Sequence, residues 1–181
     1  MRDCDAKLIR MVKNDKDLCS YLSCECDVDF AEDDILWNNL KSLLVCSECN
    51  YNMEPFACDG SGGVFVFLNQ SLIGYLDSEG QAGIIANNLR DFLSIILNCG
   101  YISDWAKFDW LSDETTFMSA YDELEISREK ACVKGFIKEN DLLYEPVKIY
   151  HVFKEAISTK PQLMIKATSD GYVDYEQMFD V

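Results

Sequence analysis

The chain has 181 residues, a mass of 20.7 kDa and 16 basic side chains against 32 acidic ones, a formal net charge of −16. Hydrophobic residues at 49% and charged residues at 27% are the composition of a folded domain, which excludes a disordered polyacid. The charge repels phosphate backbones and anionic bilayers, so a basic protein or a cation is the expected partner, not nucleic acid or membrane.

A compact chain of this length buries roughly 70% of its unfolded surface, enough for one domain with an extension. The opening residues, Met1 to Lys7, are charged and lack the apolar core of an export signal. No apolar run approaches the ~20 residues of a membrane span. A cytoplasmic location is therefore expected.

Apolar residues at Leu8, Ile9, Val12, Leu18, Tyr21 and Leu22 predict an amphipathic helical segment over 6–22, broken near Asn14-Asp15. From here the charge is one-sided. Residues 17–89 hold twelve acids (Asp17, Glu25, Asp27, Asp29, Glu32, Asp33, Asp34, Glu48, Glu54, Asp59, Asp77 and Glu79) and a single base, Lys41. Two readings stand: a solubilising surface, or a face that steers a basic partner. A calcium loop starting at Asp27 fails, because its sixth and twelfth positions are Glu32 and Asn38 where glycine and glutamate are required. Asp33 and Asp34 instead read as caps of a helix whose stripe is Leu36, Leu40, Leu43 and Leu44, with Trp37 beside it.

Nine cysteines cannot all pair, and a reducing compartment argues against disulfides. Cys24-Glu25-Cys26 and Cys46-Ser47-Glu48-Cys49 are the two clusters, and the second has zinc-knuckle spacing. Cys24, Cys26, Cys46 and Cys49 therefore form one alternative reading, a small zinc-binding protein. The gap between the pairs suits no familiar zinc module. Cys58, Cys99 and Cys132 sit among apolar residues, as core thiols do. No cofactor and no metal is expected.

Gly63–Leu68 and Leu72–Asp77, joined by Asn69-Gln70-Ser71, are apolar, aromatic and β-branched, and predict a hairpin. Both runs are apolar on both faces, so helices should cover at least one side of the sheet. After a loop over 78–83 and a short run, Ile84 to Ala86, Asn87 or Asn88 caps a helix carrying Leu89, Phe92, Leu93, Ile96 and Leu97, with Gly100 just past its end. Residues 101–116 read as an aromatic connector. Further helices are expected around Phe117 and Tyr121, after a Ser127 cap, and from Pro146 through Ile157. Ser169-Asp170-Gly171 predicts a closing hairpin between Leu163–Ile165 and Tyr172-Val173. The fold class is α+β, a twisted, mainly antiparallel sheet packed by helices.

Signatures of catalysis are absent from the motifs. Asp59-Gly60-Ser61-Gly62-Gly63 has no lysine, opens a strand and lacks the GxSxG elbow, so it reads as a turn. His151 is the only histidine, at the edge of the Ile149–Phe153–Ile157 stripe. No enzyme is expected.

Pro55 to Leu68, then Ile73-Gly74-Tyr75-Leu76, the loop and run from Ser78 to Ala86, and a helix with Phe92 and Leu93 leading to Trp105, together resemble the SUKH superfamily. The likeness spans roughly residues 35–110, without the Leu-Pro dipeptide that many members carry before an N-terminal helix. This superfamily includes bacterial immunity proteins against polymorphic toxins and yeast regulators of cell-wall assembly. The resemblance implies a SUKH-like α+β domain over 1–115 and a C-terminal helical extension with terminal hairpin over 116–181, packed on the same domain. It also implies a non-enzymatic immunity protein that blocks a basic toxin, many toxins of this kind being nucleases. A scaffold or regulatory module with an endogenous partner is the alternative of the same fold. Asp59, Asp77 and Glu79 flank the matched strands and are the expected contact residues, each equally readable as a turn former. The oligomeric state is left open.

Overall fold

The computed structural model describes residues 2–179. Its first helices, α1 (Asp3–Asn14) and α2 (Lys16–Cys26), part at Asp15, whose carboxylate accepts from the amides of Asp17 and Leu18 and caps α2. Helix α3 (Asp33–Leu43) follows, then strands β1 (Ser47–Cys49), β2 (Met53–Cys58), β3 (Val64–Leu68), β4 (Leu72–Leu76) and β5 (Gln81–Ala86). Helices α4 (Leu89–Cys99), α5 (Ile102–Lys107), α6 (Glu114–Glu123), α7 (Ala131–Glu139) and α8 (Pro146–Ile157) come next. Strands β6 (Ile165–Ala167) and β7 (Glu176–Gln177) end the chain. The α+β class holds.

Strands β2 to β5 form an antiparallel meander, and β7 adds in parallel beside β5. Pro55 is tolerated because β2 lies at the sheet edge, where a missing amide breaks no inner ladder; the register shifts just after it. The predicted hairpin is β3–β4, paired from Val64↔Leu76 to Leu68↔Leu72. Alternation sends Phe65, Phe67, Ile73, Tyr75 and Ile85 into a core with α1, α2, α4 and α8. Val64, Val66, Leu68, Leu76 and Ile84 face the other way, against Leu40 of α3 and Leu163 and Ile165 near the C-terminus. Both faces are covered, which is why these strands lack polar alternation.

Several local expectations change. The segment beyond α8 is not a hairpin: β6 pairs with β1, through Ser47↔Ala167 to Cys49↔Ile165, and β7 pairs with β5. Neither partner is near in sequence, so the turn at Ser169-Asp170-Gly171 carried no information about them. Asp33 and Asp34 occupy the first turn of α3 but do not cap it; Glu32 holds the cap position with no side-chain hydrogen bond. Ser127 caps nothing and donates to Glu25 at 3.2 Å, while α7 starts at Ala131. Strands β1 and β2, and the helix α5 inside the aromatic connector, are not legible as elements in the sequence. Asn88 caps α4 through the Asp91 amide, and Gly100 ends it, both as the pattern predicts.

A polar stripe on α4 ties the loop after α7, and α6, to this helix. Arg90, Ser94 and Asn98 recur at intervals of four, one above the other on one face. Arg90 donates to the carbonyls of Asn140 and Asp141, Ser94 accepts from the Leu143 amide at 2.9 Å, and Asn98 donates to the Leu143 carbonyl at 3.2 Å. Tyr121 of α6 donates to Asn98 Oδ1 at 3.4 Å. Asn98 is fully buried, so Asn98→Ala leaves these partners in a dry site. The expected cost is about 2–3 kcal/mol in chemical denaturation, with faster amide exchange confined to the loop after α7. A cost under about 0.5 kcal/mol would show that the loop is held by its apolar contacts alone.

Candidate functional site: two acidic loops and the helix beside them

The turn between β2 and β3 is built on Asp59. One carboxylate oxygen accepts from the amides of Ser61 at 2.8 Å and Gly63 at 2.7 Å; the other accepts from the Tyr75 hydroxyl. The turn demands its glycines. Gly62 has φ +94°, a left-handed conformation that costs other residues, and a Cβ at Gly63 would collide with the Asp59 carboxylate and lie 2.9 Å from the Leu76 carbonyl oxygen. Asp77 builds the β4–β5 turn in the same way, accepting from Glu79 at 2.9 Å and Gln81 at 2.7 Å. Burial, aided by the Asp59 carboxylate, pushes the Tyr75 phenol far above its ordinary pKa, so it stays a neutral donor.

The two loops meet. Asp59, Asp77 and Glu79 line one cleft of about 500 Å³ with Tyr75, Tyr101 and Lys107. Sequence proximity does not bring them together; the β3–β4 pairing does, by setting the two turns at the same end of the sheet. Asp59 is only 5% exposed and Asp77 9%, and both Asp59 oxygens and Oδ1 of Asp77 accept bonds from the chain itself. Through these bonds both shape the loops from inside. Glu79 is exposed, as is Glu176 on the neighbouring strand β7. Lys107 is the one base lining the cleft, 3.1 Å from Asp104 and over the Tyr101 ring at 5.6 Å.

No family model, curated protein or solved structure matches the chain. The geometry has to speak for itself.

The connection from α2 to α3 runs alongside the first loop. Asp29 exchanges both backbone hydrogen bonds with Cys58, at 2.8 and 2.9 Å, and Asp27 accepts from the Gly60 amide at 2.9 Å. Seven of the twelve acids in residues 17–89 are exposed: Asp17, Asp29, Glu32, Asp33, Asp34, Glu48 and Glu79. Four of them fall between residues 29 and 34, and none of those four has an ion-pair partner among the described residues. This run was visible in the sequence as charge density, but assigning its aspartates to helix capping hid it as a surface.

The cysteines do not assemble. Cys26 lies in the core on one sheet face, its thiol donating to the Ile96 carbonyl, whereas Cys49 packs against the opposite core. The four-cysteine zinc reading is thus corrected: the sheet stands between the two pairs. Among the described residues no three His, Cys, Asp or Glu side chains group to hold a metal ion. Burial raises the thiol pKa values of Cys26, Cys49, Cys58 and Cys99, which favours the protonated thiol. His151 is exposed, 3.3 Å from Glu114.

Proposed function

We propose that this chain is a non-enzymatic, acidic immunity protein that binds and neutralises a basic protein toxin, of the nuclease type that its charge would complement. The observation that carries the reading is the exposed acidic run from Asp29 to Asp34, without an ion-pair partner among the described residues, beside loops held by hydrogen bonds. An enzyme that acts on a polyanion needs a positive surface, and a negative protein face can occlude it. A charge of −16 also steers a basic partner, raising association rates by ~10–10³-fold at low salt. The resemblance of residues 35–110 to the SUKH superfamily supports the same reading, since it points to a binding role.

Affinity capture on the immobilised protein, at low and then high salt, tests it. The expected result is a basic protein retained at low salt and released as the screening length falls from about 10 Å at 0.1 M to about 3 Å at 1 M. Co-expression should then protect cells from that protein's toxicity. An acidic partner, or one indifferent to salt, sinks the electrostatic mechanism; a basic partner without protection favours the regulatory scaffold.

A further inference from the structure

We propose that one flank of α3, with Trp37 as anchor and Asp33 and Asp34 as rim, is the surface that docks on a basic protein face carrying an apolar pocket. This deepens the immunity reading and rests on it. At 100° per residue, Leu36 and Leu40 turn α3 onto the sheet, where both are buried. Trp37 then stands with Asp33, Asp34 and Lys41, its neighbours at three and four residues along the helix.

Trp37 differs from the other two tryptophans. Trp105 is 1% exposed, and Trp110 packs between Trp105 and Phe108, with ring centroids 5.1 and 4.7 Å away. Trp37 is 41% exposed and stacks on no ring among the described residues. A large amphipathic ring left at the surface, ringed by charge, is the anatomy of an interface centre. The charge around it names the occupant. Asp29, Glu32, Asp33 and Asp34 are opposed locally by Lys41 and by Lys13, whose ammonium is bonded to the Ala31 carbonyl at 3.0 Å. The surplus is negative, so the complementary surface presents Lys and Arg around an apolar hollow. A second copy is disfavoured, because two chains of charge −16 would bring like-charged flanks together.

The full chain is titrated with a dye-labelled leucine–lysine amphipathic helical peptide and with labelled oligolysine of equal charge, following the anisotropy of the label in every variant and, in wild type, tryptophan emission as well. The leucine–lysine peptide should bind and shift the emission of Trp37. Trp37→Ala should weaken that peptide at least about tenfold while leaving oligolysine unchanged. Reversing Asp33 and Asp34 to Lys should weaken both peptides, and the same reversal at the exposed Asp122 and Glu123 of α6 should not. Circular dichroism confirms that each variant folds. The assignment is overturned if wild type binds neither peptide, if Trp37→Ala binds the leucine–lysine peptide as well as wild type does, or if the α6 reversal matches that on α3. Failure here is separable from failure of the function: a basic toxin captured equally by wild type and by Trp37→Ala keeps the immunity reading and moves its surface elsewhere. No basic partner for wild type would end the immunity reading itself.

Discussion

Asp59→Ala lowers the folding stability by about 3–5 kcal/mol, because it strands three donors at once. The amides of Ser61 and Gly63 and the hydroxyl of Tyr75 all end on this carboxylate, and the residue is only 5% exposed, so water does not readily replace it. For a chain of this size the loss corresponds to a drop of about 10 °C in the midpoint of thermal unfolding. Asp59→Asn is the informative companion. One amide oxygen can still accept from the backbone, and the tyrosine hydroxyl can rotate to accept from the amide nitrogen, so the cost falls to about 1–2 kcal/mol. Chemical denaturation of both variants checks the difference. If the two lose the same amount, the carboxylate charge that neither variant keeps decides the site, and the acceptor-by-acceptor account of the β2–β3 turn is wrong.

Trp105→Ala is expected to cost about 3–5 kcal/mol by the cavity it leaves. The indole is 1% exposed, its ring centroid 4.8 Å from that of Phe117 and 6.3 Å from that of Phe153, and its nitrogen donates to the Cys99 carbonyl at 3.0 Å. It therefore joins α5 to α6 and α8, and its loss loosens everything after residue 100. Typical domains are stable by about 5–15 kcal/mol, so this variant sits near the edge of folding. Amide exchange should show α6 and α8 opening before β2 to β5. Uniform exchange across both regions would contradict the assigned role, since it would make the whole chain one cooperative unit at this site.

The legible parts of the fold were those whose signal is local. Leu89, Phe92, Leu93, Ile96 and Leu97 carry a helical period that Asn88 and Gly100 bracket, and α4 stands where they put it. The β3–β4 hairpin was equally plain, because its two apolar runs are joined by three residues. Strand β2 escaped because Pro55 and the mixed Met53-Glu54 start read against a strand, and only its edge position makes them tolerable. The C-terminal segment escaped for a different reason: the partners of β6 and β7 lie far back in the chain, and no residue near Ser169 encodes a pairing across that distance.

The candidate site divides in the same way. Composition and charge alone determined that the protein is acidic, that its acids crowd into residues 17–89, and that no glycine-rich or histidine motif there signals chemistry. Which of those carboxylates face outward was decided only by the tertiary structure. Asp59 and Asp77 carry the same charge in sequence as Asp33 and Asp34, yet the former pair is turned inward onto backbone amides and the latter stays in water. The reason is that a side chain's charge is a property of its residue, whereas its burial and partners belong to the packing of strands brought together from distant parts of the chain.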